Sequence, residues 1–489
     1  MAELPQNWIE IKLKHLIKFV IGGDWGTEKP SISNSERVAV IRGTDYKYWN
    51  KIRAKEAAIR YVKKSSLEKR QLNIGDIVLE ISGGGPTQPV ARTIVIDKYA
   101  IESNKCNLIC SNFFRKISLK PSINPAYLNF YCQYAHKIGL FNDFQTQTTN
   151  LRNLNFNDFI NNVFIPIPPE NEQFKIINKL DKIISKIDDV NTRIDKIPTA
   201  LKRARQSILN QAITGELTKD WREIHHNYNH ADDLIRDIQD NRKKQYEVDC
   251  KKAKFTGNKT PKKLFLPEYK HLISSVQNWG KCYLANIFSV ETGSTPLRSN
   301  DLYYKDGNIP WIKTGEVQNC EIYRAEEYIT EKALKETNVK LFPVNTLLIA
   351  MYGEGKTRGQ VGRMKINATT NQACAALVNS NIDYVLNEYV FYYCLSKYNE
   401  LRRLAVGGNQ PNLNLEKIKM WEIDIPPLEE QTEIIRRVKL AFEKLDKIES
   451  RYQKAKEYSD KLTQSILNKA FRGELVPQDP NDSPIKIPE

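Results

Sequence analysis

The feature that most limits what this chain can fold into is a repeat at a fixed offset of 258 residues. The segment Gln206-Ser-Ile-Leu-Asn-Gln-Ala-Ile-Thr-Gly-Glu-Leu217 returns as Gln464-Ser-Ile-Leu-Asn-Lys-Ala-Phe-Arg-Gly-Glu-Leu475, with nine of twelve positions identical. Back to Pro168-Pro169 and Pro426-Pro427, residues 168–217 and 426–475 share 19 of 50 positions without a gap. Further upstream the echo is fainter. Gln6-Asn-Trp8 answers Gln277-Asn-Trp279, and Asn153-Leu-Asn155 answers Asn412-Leu-Asn414. A repeat of this period marks a duplicated architecture. Each half is a divergent globular unit followed by a closely matched segment, so the segments carry a constraint that the units escape.

The matched segments read as long helices. Apolar residues fall at Ile176, Leu180, Ile183, Ile187, Val190, Ile194, Ile197, Leu201, Ala204 and Ile208, in alternating steps of four and three. The same offset gives Ile434, Val438, Ala441, Leu445, Ile448, Tyr452, Ala455, Ser459, Leu462 and Ile466. This is the a/d seam of a helix that buries one stripe. Two matched seams favour pairing with each other, as a coiled coil, over two separate core helices. Spanning 170–214 and 428–472, each helix measures about 65–70 Å at ~1.5 Å per residue. The prolines suit a first helical turn, and Gly215 and Gly473 suit C-terminal caps. Pro198 has no counterpart at Lys456 and predicts a kink. Ile187 and Leu445 lie on the seam, while Phe174 and Phe442 lie off it, open to a partner.

The units before these helices carry short β-branched runs, Val38–Arg42, Asp76–Ile81, Arg92–Ile96 and Leu108–Ser111, punctuated by glycine. Ala126–His136 and Glu388–Ser396 read as short helices, so the fold class is α+β. The chain divides into a first globular domain (1–167), a first long helix (168–217), a polar helical connector (218–269), a second globular domain (270–425), a second long helix (426–475) and a tail (476–489). Within the connector, residues 241–264 hold nine basic and two acidic side chains, which suits either a solvated linker or a contact to DNA backbone. The whole chain has a formal charge of +16, and nucleic acid is the first partner such an excess suggests. No apolar run approaches the ~20 residues of a membrane span, and the N-terminal residues lack a signal-peptide core. Eight scattered cysteines without a Cys-x-x-Cys pair argue against a disulfide scaffold. The expectation is a reduced, cytoplasmic, non-membrane protein.

Catalytic fragments do not hold up. Gly355-Lys-Thr357 ends like a phosphate-binding loop, but Ala350 stands where its first glycine is required. Asn124-Pro-Ala-Tyr127 approximates the adenine-methyltransferase tetrapeptide with the wrong third residue, and reads as a helix start capped by Asn124. His225, His226 and His230 have metal-like spacing without a carboxylate cluster in register. What recurs in both halves is binding chemistry. Residues 82–92 and 352–363 are glycine-rich loops after equivalent strands. Residues 145–152 and 407–412 are amide-rich loops before the long helices. Glycines let a backbone approach closely. Arg and Lys hold phosphates, while Asn, Gln and Arg read base edges. The candidates are Arg42, Gln88, Arg92, Thr148, Asn150 and Arg152 in the first half. In the second they are Lys313, Lys356, Arg358, Arg363, Asn409, Gln410 and Asn412.

Two motifs carry a family resemblance. Ile165-Pro-Ile-Pro-Pro-Glu-Asn-Glu-Gln-Phe-Lys-Ile-Ile177 recurs as Ile423-Asp-Ile-Pro-Pro-Leu-Glu-Glu-Gln-Thr-Glu-Ile-Ile435. With the Gln-Ser-Ile-Leu-Asn helix ends and Thr292-Gly-Ser-Thr-Pro296, the chain resembles the specificity subunit of type I restriction-modification enzymes along nearly its whole length. Ile21-Gly-Gly-Asp-Trp-Gly26 departs from the Gly-Ser-Thr-Pro pattern in the first half. The resemblance implies two target-recognition domains, each reading half of a bipartite double-stranded DNA site, separated by antiparallel spacer helices. It implies that the spacers dock two modification subunits, to which two restriction subunits add. S-adenosylmethionine, ATP and Mg would be used by those partners, with no cofactor or metal bound by this non-catalytic chain. The alternatives are a stand-alone DNA methyltransferase, a fused restriction enzyme, or a coiled-coil adaptor without DNA preference.

Overall fold

The computed structural model describes residues 4–46, 49–85, 88–148, 151–225, 229–257, 259–353, 355–379, 387–404 and 413–486. It divides the chain into two units, residues 1–195 with 452–489, and residues 196–451. Each long helical segment therefore gives one part to each unit, a division that the domain boundaries read from the sequence do not contain.

In the first unit, a four-stranded antiparallel sheet has the order Ile17–Gly22, Phe114–Leu119, Ile77–Glu80, Thr93–Val95. Beside it Glu36–Ile41 pairs antiparallel with Ala58–Val62 and parallel with Asn107–Cys110. A third pair joins Ile9–Lys12 to Phe164–Ile167. The second unit repeats this plan. Its main sheet runs Ser289–Thr292, Cys374–Val378, Leu347–Ala350, Val361–Met364, with Cys320–Ile322 added at the edge. Ile309–Ile312 pairs antiparallel with Glu327–Ile329 and parallel with Thr369–Thr370, and Gly280–Tyr283 pairs with Glu422–Ile425. The faint upstream echo in sequence is thus one topology built twice. The expected strands and short helices stand close to where their β-branched runs put them, with helices Pro125–Lys137 and Asn387–Ser396. Asn124 caps the former by accepting from the Ala126 N–H at 3.0 Å.

The first spacer is two helices, Glu170–Ile194 and Ile197–Ile213, where a single kinked helix was expected. Pro198 sits in the opening turn of the second, because a proline lacks the N–H and crowds the carbonyl four residues back. Its counterpart Leu428–Phe471 is unbroken over 44 residues. Gly215 and Gly473 both take left-handed conformations, φ +77° and +74°, just past the helix ends. The two chains of helix run antiparallel within each unit. In the first, Ile176, Ile177 and Leu180 share a core with Leu467, Ala470 and Phe471, while Asp195 meets Lys456 at 2.7 Å. In the second, Leu209, Ala212 and Ile213 share a core with Ile434, Ile435 and Val438, while Arg205 reaches Asp446 at 2.6 Å and Glu449 at 3.0 Å.

The seam is not buried along its length. Ile176, Leu180, Ile187, Leu201, Ile434 and Val438 are buried, but Val190, Ile448 and Leu462 are 51%, 43% and 52% exposed. The ends are covered because the globular parts pack on them. Of the two spacer positions singled out on the seam, Ile187 is buried and Leu445 half-buried; of the two expected to face a partner, Phe174 is exposed. Phe442 is corrected: it packs edge-on to Tyr392 at 6.2 Å, with the Arg205 guanidinium over its ring at 5.3 Å.

The matched motifs of the repeat explain how each globular part is tied to its helix. The Trp8 indole donates to the buried Glu172 carboxylate at 3.0 Å, and Trp279 donates to buried Glu430 at 2.8 Å. Gln173 and Gln431 donate back to the carbonyls of Pro168 and Pro426. Tyr127 and Tyr389 donate to the carbonyls of Pro166 and Asp424 in the strands that lead to the helices. Burial raises the Glu172 pKa, against hydrogen bonds from Gln478 and Trp8. Glu430 has more support, from Thr218 at 2.6 Å and Arg222 at 2.5 Å. Trp8→Phe should therefore destabilise by about 1–3 kcal/mol, since a buried carboxylate loses one of few donors. Trp279→Phe should cost less, and comparing urea midpoints of the two variants checks the order.

Candidate nucleic-acid interface

In the first unit the two expected loops meet in one small sheet. Gln145–Thr148 pairs antiparallel with Leu151–Leu154, where an amide-rich loop was expected over 145–152. The second strand pairs with Ser82–Gly84, placing Arg152 opposite Gly84 and Asn153 opposite Ser82. Ser82 and Asn153 are hydrogen-bonded at 2.5 Å. The Gln145 amide turns inward, accepting from the Val90 N–H at 3.0 Å and donating to the Val90 and Phe141 carbonyls. That clamp positions the 88–92 segment, where Ala91 adopts φ +74° and Gln88 is exposed. Arg152 and Gln88 are therefore carried on one platform. The side chain of Thr148, and all of Asn150, lie outside the described residues.

In the second unit the glycine-rich loop follows Leu347–Ala350, the strand equivalent to Ile77–Glu80. Gly353, Gly355 and Gly359 take positive φ values of 135°, 61° and 83°, which let the chain turn sharply between strands. A short helix, Tyr398–Leu404, braces it. The Tyr398 hydroxyl donates to the Lys356 carbonyl at 2.5 Å, and Arg402 donates to the Gly355 carbonyl at 2.8 Å and to the Tyr398 oxygen at 3.0 Å. Lys356 is exposed and Arg358 half-buried on the braced loop. Tyr398 and Arg402 were not singled out in the sequence, where only the Arg402-Arg403 pair near the amide-rich loop could have signalled them. Asn409, Gln410 and Asn412 lie outside the described residues.

Arg42, Arg92, Lys313 and Arg363 are held by partners within their own units. Arg42 bonds the Asp45 carboxylate at 3.0 Å and the Glu56 carbonyl at 2.8 Å. Arg92 forks onto buried Glu80 at 2.7 and 2.5 Å, and that hydrogen bonding raises its pKa. Lys313 bridges Glu326 and Glu327, both at 3.0 Å. Arg363 is corrected as a phosphate contact: its side chain is 8% exposed and ion-paired with Glu321 and, at 3.1 Å, Glu388. Burial works against the Glu321 carboxylate, but hydrogen bonds from Tyr323 and Arg363 outweigh it and bring its pKa down to about 2. The charge of Arg363 is used to join an edge strand to a helix.

The departure at 21–26 leaves the backbone unchanged where it matters. A Cβ on Gly23 would stand 2.1 Å from the Ser111 carbonyl, and one on Gly293 would stand 1.8 Å from that of Thr370. The next residues, Asp24 and Ser294, donate their N–H groups to Cys110 and Thr370 at 2.9 Å. The glycine is what both entrances share, because only it allows this approach. Among the described residues no group of His, Cys, Asp and Glu could hold a metal ion, and no helix is long and apolar enough to cross a membrane.

The type I restriction modification DNA specificity domain family matches residues 5–199 and 277–457. The chain belongs to this family. It is similar to the specificity subunit of type I restriction enzyme EcoBI from Escherichia coli, 27% identical over 65% of this chain and 60% of that protein. It is 33% identical to the MjaIX specificity subunit from Methanocaldococcus jannaschii over 32% of this chain and 36% of that one. A match to the StySPI specificity subunit from Salmonella potsdam is longer, 26% identical over 84% and 77%. The chain thus spans less than two thirds of the first two relatives. Its fold is that of the HsdS subunit from Thermoanaerobacter tengcongensis, at a TM-score of 0.50 and 15% identity over 97% of this chain and 99% of that one. A chain solved in work on complex assembly and conformational transition of the type I R-M system gives 0.60 at 15%, over 97% and 100%. The specificity-domain fold therefore accounts for both repeats and for the helices between them.

Arg363→Met should destabilise the protein near the low end of the ~3–5 kcal/mol typical of breaking a buried pair, because Lys365 and Lys439 still reach Glu321 and Glu388. Lys356→Met should change stability by no more than about 0.5 kcal/mol. Thermal melts of both variants check this division between an internal and an external cation.

Proposed function

We propose that the chain is the DNA-reading, non-catalytic specificity subunit of a type I restriction-modification enzyme. Each unit reads one half of a bipartite duplex site, and the spacer helices dock two modification subunits, with two restriction subunits completing the enzyme. S-adenosylmethionine, ATP and Mg serve those partners. The observation that carries this reading is one scaffold built twice, with different side chains on the loops after equivalent strands. Ser-Gly-Gly-Gly at 82–85 and Tyr-Gly-Glu-Gly at 352–355 leave matching strands, as a reader of two different half-sites requires. Paired half-sites are the natural target of a pseudo-symmetric reader.

Lys356 and Arg358 are assigned to phosphates and the amides Asn409, Gln410 and Asn412 to base edges, with Gln88, Arg152, Thr148 and Asn150 as their counterparts in the first unit. Exchanging residues 1–167 for the first domain of another family member should change one half-site in methylation mapping and leave the other as it was. A change in both half-sites would contradict independent reading. Methyl transfer to DNA by the chain alone, without a modification subunit, would overturn the non-catalytic assignment.

A further inference from the structure

Residues 241–264 were open to two readings from sequence, and the helix that leads into them is packed along one face. Helix Ala231–Thr256 buries Ala231, Ile235 and Ile238 in the same core as Trp279, Cys282 and Leu284. Arg242 is buried and donates to the Ala285 carbonyl at 2.5 Å, and burial brings its pKa down to about 10. Beyond Arg242 the helix continues to Thr256, about 21 Å at ~1.5 Å per residue. From Lys259 the described chain carries no helix or strand before it is fastened again. Phe265 lies under the Lys419 ammonium at 5.4 Å, Asn286 donates to the Pro267 carbonyl at 2.7 Å, and Tyr269 packs on the core. Residues 243–264 are thus an arm held at both ends within the second unit.

The arm is polarised. Acidic residues stop at Asp249 and none follows until Glu268, whereas Lys251, Lys252, Lys254, Lys259, Lys262 and Lys263 lie between. All six are exposed, and none makes an ion pair among the described residues. Nearer the core, by contrast, Lys243 is paired with Asp240 at 2.9 Å. Lysines near a helix C-terminus gain from its dipole, but that effect fades within the last turn. Half of these six stand beyond Gly257, where there is no helix. Such a cluster repels itself unless a polyanion meets it.

We propose that this arm is a second DNA contact, holding the phosphate backbone of the duplex without reading its bases. The inference rests on the DNA-reading function proposed above. It assigns the partner by charge: six unpaired ammonium groups on a fastened segment suit a row of phosphates, and each contact releases counterions. Lysine is a flexible point charge without the planar fork of arginine, which suits it to a row of phosphates.

The test uses the full chain with the charge-neutral variant Lys251→Gln/Lys252→Gln/Lys254→Gln/Lys259→Gln and the charge-keeping variant with Arg at the same positions. Affinity is measured on a cognate and a scrambled duplex at several salt concentrations. Each lost phosphate contact lowers the slope of log affinity against log salt by about 0.9, so the neutral variant should lose about 2 to 4 from the slope on both duplexes. Arginine should restore it, and the cognate-to-scrambled ratio should not move. A loss below about 1, with circular dichroism unchanged, would overturn the proposal. So would a change in the preferred base, or weakened capture of modification subunits at an unchanged salt slope, which would make the arm a protein-docking surface. If the unaltered chain shows no preference for cognate duplex, it is the specificity reading that fails, and the slopes still test the arm.

Discussion

A buried carboxylate cannot be left alone, and this protein uses that twice to join an α+β domain to a long helix. Glu172 and Glu430 stand in the first turn of the helices after the Pro-Pro pairs, where the helix dipole favours a negative charge. Each is buried and each accepts an indole N–H from the first strand region of its domain, Trp8 at 3.0 Å and Trp279 at 2.8 Å. An unpaired charge there would carry a large desolvation cost. Sheet pair, helix start and domain opening are therefore satisfied together or not at all. The glutamines that follow close the remaining backbone carbonyls of the proline turn, which have no helical partner.

The same economy of charge separates structure from function elsewhere. Arg92, Arg222 and Arg363 meet buried or half-buried carboxylates and serve the fold. Lys356 and the six arm lysines from Lys251 to Lys263 meet no carboxylate among the described residues and remain exposed. A net charge of +16 is thus not evenly available to a partner. The glycine-rich loop is held through its backbone: Tyr398 and Arg402 donate to the carbonyls of Lys356 and Gly355. Losing that brace would alter where Lys356 and Arg358 stand without removing either.

The seam shows what periodicity can and cannot say. Ten positions in each helix carry the heptad pattern, yet Val190, Ile448 and Leu462 are about half exposed while Ile176, Leu180, Ile434 and Val438 at the helix starts are buried. A heptad describes which side chains share a stripe; it does not say how much of the stripe meets protein, and Ile187, Leu201 and Ser459 are buried well inside the helices. The ends are covered by Tyr127, Tyr131, Trp279 and Tyr389, which come from distant parts of the sequence.

By itself the sequence determined the duplication, the two long helices with their proline starts and glycine ends, the α+β class, and the family. Those signals are local: spacing of apolar residues, capping residues and exact short repeats. Periodicity alone left the direction of helix pairing open, and the antiparallel run came only with the family resemblance; the break before Pro198, the pairing of Gln145–Thr148 with Leu151–Leu154 and the division of each spacer between two units were decided only by tertiary structure. So was the sorting of cations. Arg363 and Lys356 are seven residues apart in one glycine-rich stretch and look alike as letters. One points to Glu321 and Glu388 and the other to solvent, because partners supplied from positions 42 and 25 residues away decide where a charge is held.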